Sequence, residues 1–126
     1  MSRARLLAGT AAALALCLPA AGYAPAPLPK NRASVSRLAG RWTVKFANGV
    51  VETCEVRRDG TASVTEPRRS SPGKAEDRGG AVVITFNDDR VERWTVRGGR
   101  VVVEHWFPAS QYPSGARVRG AARRSR

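Results

Sequence analysis

The chain has 126 residues and a formal net charge of +12, from 22 Lys and Arg against 10 Asp and Glu. This length excludes a multidomain enzyme, and 42% hydrophobic residues with three Trp indicate a globular protein rather than a disordered one. The charge is concentrated at the ends, because residues 1–37 and residues 117–126 each hold five bases and no acid. Residues 38–116 carry a net charge of only +2. The middle of the chain is therefore nearly neutral, which argues against a nucleic-acid-binding domain.

Residues 1–24 are predicted to form a secretory signal peptide. Arg3 and Arg5 supply a short positive region, residues 6–18 form an uncharged apolar stretch, and Ala24 suits a cleavage site. The apolar stretch is shorter than the roughly 20 residues that a membrane span needs, so no transmembrane segment is expected after cleavage. The expected location is therefore secreted or periplasmic.

The two cysteines bear on how the chain is processed and on whether it can form a disulfide. A lipoprotein modified at Cys17 is the less favoured alternative to plain cleavage, because Leu16 is larger than the residue that normally precedes a lipidated cysteine. Cleavage after Ala24 leaves Cys54 alone, so no internal disulfide is expected. Residues 25–37, which are rich in Pro, Ser and bases, are predicted to form an extended linker.

Residues 38–108 are predicted to form a β-barrel domain. Short segments of alternating apolar and polar residues are separated by two-residue turns such as Asn48-Gly49 and Asp59-Gly60. Residues 67–73 contain two prolines and a glycine, which predicts a loop. Connections this short leave no room for crossovers. The expected fold is all-β, an antiparallel meander of six to eight short strands forming a small barrel or half-barrel.

Gly40-Arg41-Trp42 opens the first predicted strand and resembles the Gly-x-Trp signature of lipocalins and related calycin barrels. In that family the Trp closes the bottom of the barrel, and a basic residue near the last strand packs on it. The resemblance implies that Gly40 and Trp42 mark the fold and that Arg100 or a tail arginine contacts Trp42. Lipocalins have eight strands, whereas residues 38–107 supply at most seven. An eighth requires pairing within the basic C-terminal tail, residues 109–126, which is predicted to hold one edge strand at most.

Polar and aromatic residues on three predicted strands are candidates for a ligand-binding site. They are Glu52, Glu92, Glu104, His105 and Trp106. The two-residue alternation of side chains along a strand places the three carboxylates on strand faces that also carry Val or Trp. We favour positions near strand ends, where they reach water, because the predicted register carries errors of a few residues. The alternative is that they converge inside the barrel and pair with Arg90, Arg93 or His105.

Metal-dependent and catalytic functions are not predicted. A metal site needs three or four ligands, and with one His and one mature Cys no spacing indicates a site, so we expect no metal and no cofactor. Cys54 alternates with valines and is predicted to be a buried apolar residue rather than a nucleophile paired with His105. No recognised catalytic motif occurs in the sequence, and an enzyme is only the third choice.

Five arginines of the tail are candidates for contact with an anionic surface. They are Arg117, Arg119, Arg123, Arg124 and Arg126. Nucleic acid is not expected as a partner, because the chain is predicted to be exported and lacks the aromatic stacking motifs of RNA-binding sheets. The leading hypothesis is an exported small β-barrel that acts as a binding or inhibitory module for a small ligand or a protein. The alternative is a binder of anionic cell-envelope polymers through the tail.

Overall fold

The computed structural model describes residues 32–126, so the predicted signal peptide and residues 25–31 of the predicted linker lie outside the described residues. The elements in chain order are α1 (Val35–Leu38), β1 (Gly40–Phe46), β2 (Val51–Val56), β3 (Thr61–Glu66), β4 (Arg69–Arg78), β5 (Ala81–Phe86), β6 (Val91–Arg97), β7 (Arg100–Trp106), a 3-10 turn (Ala109–Gln111) and β8 (Val118–Arg124). Each strand pairs antiparallel with the next, and β8 pairs with β1 to close the barrel. The predicted all-β antiparallel meander is confirmed, with eight strands. Within residues 32–126, no helix has the length and apolar character needed to cross a membrane.

The eighth strand comes from the segment predicted to be a basic tail. In β8, Gly120 lies opposite Phe46 of β1 on one side and Val103 of β7 on the other. A Cβ atom at Gly120 would lie 2.7 Å from the Phe46 ring, so glycine is required here for the strands to approach. The prediction of an edge strand at most is wrong for this segment, because β8 is hydrogen-bonded on both sides and completes the barrel.

Strand β4 corrects the loop predicted for residues 67–73, since it already begins at Arg69. Pro72 is exposed, and its carbonyl accepts a hydrogen bond at 3.2 Å from the N–H of Asn87, one residue beyond the end of β5. Its missing N–H therefore falls just past the end of the β4–β5 ladder, where proline is tolerated. Gly73 faces the interior, where an added Cβ would lie 2.7 Å from the Phe86 ring. Pro72 and Gly73, which predict a loop from the sequence, therefore both fit within strand β4.

The segment before β1 closes one end of the barrel, called here the closed end. Ala33 is 2% exposed and Leu38 is 1% exposed. The backbone N–H of Ala33 donates to the carbonyl of Gly80 at 2.7 Å, and that of Val35 donates to Asp77 Oδ1 at 2.7 Å. The last part of the segment predicted to be a linker, residues 32–37, is therefore packed against the β4–β5 hairpin.

Trp42 is the central side chain of the closed end. Its Nε1 donates to the carbonyl of Leu38 at 2.7 Å, and its ring meets Trp94 edge-to-face with centroids 5.8 Å apart. The Arg124 guanidinium lies 4.4 Å from the centre of the Trp42 ring and donates to the carbonyls of Ala39 and Arg37, each at 2.9 Å. The contact that the resemblance implied for Arg100 or a tail arginine is thus made by Arg124.

Candidate functional site

The end of the barrel opposite α1 opens into a cavity of about 370 Å³, called here the mouth cavity. Five apolar side chains contribute to its walls: Phe46, Val50, Phe107, Ala116 and Val118. Polar and charged side chains from four strands and a turn face the same space: Glu52, Glu66, Arg69, Arg90 and His105. The volume lies within the range of about 300–1,000 Å³ that is typical of small-molecule sites.

Glu52 and Glu92 meet inside the barrel. They lie on β2 and β6, which are four strands apart in the closed ring and therefore face each other across the interior. Glu52 is 2% exposed and Glu92 is fully buried. The favoured prediction is right that these carboxylates lie near strand ends, since each is the second residue of its strand, but wrong that they reach water. An eight-stranded barrel is narrow enough for long side chains from opposite walls to meet.

Glu92 has hydrogen-bond partners on both oxygens. Trp94 Nε1 donates to Oε1 at 3.1 Å, and His105 Nδ1 shares a hydrogen bond with Oε2 at 2.9 Å. His105 lies opposite Glu92 in the β6–β7 register, which brings the two side chains together. Burial raises the pKa of Glu92 and lowers the pKa of His105. Both shifts favour the uncharged forms, so this interior pair is held with little net charge.

Glu52 has only the Glu92 carboxyl as a partner. In the part of the chain that the structure describes, no other N–H or O–H group reaches either of its carboxyl oxygens, although both are buried, and its one hydrogen bond is shared with Glu92. Burial and the adjacent Glu92 carboxyl raise the pKa of Glu52 to about 10, so the group is an uncharged acid at neutral pH. Its further acceptor positions are unsatisfied, which costs about 1–3 kcal/mol for a buried group, so Glu52 is the strongest sign of a missing ligand.

Cys54 lies next to this pair and is also fully buried. Its Sγ and one carboxyl oxygen each of Glu52 and Glu92 all lie within 4.8 Å of one another. Burial raises the pKa of the thiol well above its usual range, so Cys54 is not an activated nucleophile. The prediction that Cys54 is a buried residue is confirmed, but its neighbours are carboxyls as well as valines.

A buried arginine forms the side of the cavity next to the β5–β6 turn. Arg90 is 2% exposed, and its guanidinium contacts Asp88 Oδ2 at 2.6 Å, Glu66 Oε1 at 3.0 Å and Ser71 Oγ at 3.3 Å. The hydrogen bond from Arg90 holds the pKa of Asp88 down at about 2. The sequence predicts Arg90 only as a partner of the carboxylates, and it does not predict Glu66, Asp88 or Ser71. The pattern that indicates Arg90 as a site residue is the two-residue alternation along a strand, which places residue 90 on the same face as residue 92.

Two of the five predicted ligand-binding residues lie outside the barrel. Glu104 and Trp106 are buried on the outer surface of β7, 3% and 1% exposed, and do not line the mouth cavity. Glu104 accepts hydrogen bonds at 2.7 Å from Arg93 and from Arg117, and Tyr112 meets the Trp106 ring edge-to-face at 4.8 Å. These contacts fold residues 107–117 over the barrel wall and hold Arg117 at the rim of the cavity. Only Glu52, Glu92 and His105 of the predicted set are brought together.

The tail arginines have separate environments. Arg117 and Arg119 approach Glu104, at 2.7 and 3.5 Å, and Arg124 packs on Trp42. Arg119 and Arg123 are exposed on β8, and Arg126 is exposed at the chain end. The five residues therefore do not form one mobile cluster.

Comparisons of the chain with protein-family models, with curated proteins and with solved structures found no match. The lipocalin resemblance therefore stays a prediction. The function has to be inferred from the mouth cavity and the surface of this barrel.

Proposed function

We propose that the protein is an exported binding protein that takes a small molecule into the mouth cavity. The observation that carries this proposal is Glu52, which lines the cavity and whose two buried carboxyl oxygens have no partner in the described residues other than the Glu92 carboxyl. A ligand group that both accepts and donates a hydrogen bond would satisfy them. Of the partners expected from the sequence, a small ligand fits such an enclosed polar floor better than a protein surface does.

The lining narrows the class of ligand. Near neutral pH, Glu52 is an uncharged acid and His105 an uncharged imidazole, so the floor suits an uncharged hydrogen-bonding group such as an amide or an alcohol. Phe46 and Val118 offer apolar contact above it, and Arg69 and Arg117 bring positive charge to the rim. The expected ligand is a small amphipathic molecule with its uncharged polar group directed inward.

Backbone-amide NMR with a panel of small amides, alcohols and carboxylic acids tests the proposal. We expect binding compounds to shift the amides around Glu52, His105 and Phe107 and to leave the closed end unchanged. Glu52→Leu should abolish these shifts. Glu55→Gln is the matched control, because Glu55 lies on the same strand with its side chain partly exposed. If no compound shifts the mouth amides, or if the Glu52→Leu variant responds as the wild type does, the proposal is wrong.

A second candidate function, binding of anionic envelope polymers, is favoured by a specific arrangement. Strands β1 and β8 contain no acidic residue and pair side by side. Five exposed bases lie on these two strands. Arg124 packs on Trp42, and the other four form what we call the basic strip: Arg41, Lys45, Arg119 and Arg123. Ordered, clustered cations of this kind attract polyanions through a field that salt screens.

Substitution of charged residues tests this second candidate function while leaving β8 in place and the barrel closed. Deleting residues 117–126 would remove β8, so Arg119→Ser with Arg123→Ser is the better change. We expect weaker binding to polyphosphate-coated beads and a shallower dependence of binding on salt. Arg57→Ser with Arg97→Ser removes the same charge from other turns and should have less effect. Equal losses in both double variants would show nonspecific attraction and exclude a role for the strip.

A further inference from the structure

We propose that Glu52, Cys54 and Glu92 form a zinc-binding site beneath the floor of the mouth cavity. One donor atom from each residue lies within 4.8 Å of the other two: a carboxyl oxygen, the Sγ atom and a second carboxyl oxygen. All three side chains are at least nine-tenths buried. This inference goes beyond the small-ligand proposal, because it concerns an ion bound by interior side chains. The two proposals share Glu52, but only the zinc site requires Cys54.

The ligand types fit zinc better than they fit other common ions. One thiolate with two carboxylates is a mixed soft and hard set, which suits Zn²⁺, whereas Ca²⁺ and Mg²⁺ take oxygen ligands only. Ligands at about 2.0–2.3 Å from a tetrahedral Zn²⁺ stand about 3.3–3.8 Å apart. The cluster therefore needs to contract by about 1.5 Å at most, which side-chain rotation of Glu52 and Glu92 can supply.

Glu52 is the observation that points to an ion rather than to a packed acidic core. Outside the cluster, its buried oxygens have no hydrogen-bond partner in the described part of the chain, whereas both oxygens of Glu92 have one. A bound cation would satisfy the oxygens of Glu52. It would also offset the repulsion between two carboxylates and a thiolate held close together. Replacement of their protons by one divalent ion removes the repulsion that would otherwise follow ionisation.

The surroundings supply the other features of a zinc site. His105 and Trp94 hold Glu92 through hydrogen bonds of 2.9 and 3.1 Å, as second-shell partners orient a metal ligand. Glu52 belongs to both the cluster and the cavity lining, so an ion can enter from the mouth. Three protein ligands leave a fourth position, which water or a ligand entering through the mouth would occupy.

The test uses the purified protein in a Cys17→Ser background, which removes the only other thiol of the chain. After treatment with a chelator, calorimetric titration with ZnCl₂ should show one ion per chain. Addition of CoCl₂ should give the visible bands of a tetrahedral site and a thiolate-to-cobalt charge-transfer band. Cys54→Ser should abolish the charge-transfer band. Glu52→Gln should weaken zinc binding by more than the roughly 10- to 100-fold that loss of a second-shell partner costs.

The control is Glu55→Gln, on the same strand but not in the cluster, which should bind zinc as the wild type does. Near-UV circular dichroism of the three Trp checks that each variant is folded. Zinc X-ray absorption of the unsubstituted cluster, which needs no variant, should show one sulfur and oxygen or nitrogen neighbours. The proposal is overturned if zinc binding is absent or not saturable, if the absorption spectrum lacks sulfur, or if folded Glu52→Gln and Cys54→Ser variants bind zinc unchanged.

Discussion

The two ends of the barrel are built from the same eight strands, but the side chains that face the interior are mainly apolar at one end and partly charged at the other. At the closed end, Trp42, Leu38 and Ala33 are buried, and the indole N–H of Trp42 has a carbonyl partner at 2.7 Å. At the mouth, the inward-facing residues include Glu52 on β2 and Arg90 in the β5–β6 turn, each 2% exposed. Folding alone favours an apolar interior with satisfied polar groups, as at the closed end. The mouth instead retains buried polar groups, which costs stability wherever they lack partners.

The arginines at the two ends illustrate the same difference. Arg124 lies outside the closed end, stacked on Trp42 and bonded to backbone carbonyls, so that its charge is not enclosed. Arg90 is enclosed at the mouth and requires the carboxylates of Asp88 and Glu66. An exposed stacked arginine tolerates change, whereas a buried paired one makes the mouth sensitive to pH and to substitution.

The largest expected effect is at the closed end. Trp42→Ala should lower the free energy of unfolding by about 3–5 kcal/mol, because it removes a buried indole and leaves a cavity beside Trp94. Phe107→Ala at the mouth should change it by less than about 0.5 kcal/mol, since Phe107 is 58% exposed. Urea denaturation followed by far-UV circular dichroism measures both. Equal losses would remove the distinction between the two ends.

Acid should weaken the mouth by the next largest amount. The folded-state pKa of Asp88 is about 2 against an ordinary value of 3.8, because Arg90 and Ser71 bond to the ionised carboxylate. Its stabilisation is therefore complete above pH about 4 and is lost as the pH falls towards about 2, a loss of about 2 kcal/mol. Denaturant titrations across this range should show a smaller loss in Asp88→Asn. An unchanged pH dependence in that variant would assign the acid sensitivity to other groups.

Substitution at Glu52 should have the opposite sign. Glu52→Leu should raise the free energy of unfolding in metal-free buffer by about 1 kcal/mol, because it removes a buried acid whose only partner is the Glu92 carboxyl. Glu104→Leu should lower it, because Glu104 is as buried but bonds to Arg93 and Arg117. Thermal and urea unfolding of both variants measure the contrast. Destabilisation by Glu52→Leu would show that this residue serves the fold and would weaken both site proposals.

The smallest expected effect concerns the arginine on Trp42. Arg124→Ala should cost about 1 kcal/mol, from the lost contact with the indole ring and the lost bonds to two backbone carbonyls. Arg123→Ala, one residue earlier and exposed on β8, should leave stability within about 0.5 kcal/mol of the wild type. Chemical denaturation of the pair checks this. A cost at Arg123 equal to that at Arg124 would mean that general charge, rather than stacking, matters at this end.

Local patterns predicted most of the fold but only half of the candidate site. Alternation and tight turns predicted the meander, because each hairpin depends on residues adjacent in sequence. They did not predict β4 at Ser71 to Gly73, since the acceptability of Pro72 depends on where β5 ends. They did predict the faces of Glu52 and Glu92, but not that both are buried. Glu66 was missed because its partner, Arg90, is distant in sequence, and Asp88 was missed because it lies in a turn between two predicted strands.

The sequence by itself determined the fold class, the burial of Cys54 and the near-neutral charge of the middle of the chain, because these follow from composition and from period-two alternation. The tertiary structure decided that β8 pairs with β1 and closes the barrel. Closure then sets β2 opposite β6, which brings Glu52, Cys54 and Glu92 within 4.8 Å of one another. No local pattern encodes that distance, because it depends on the number of strands and on their closing into a ring.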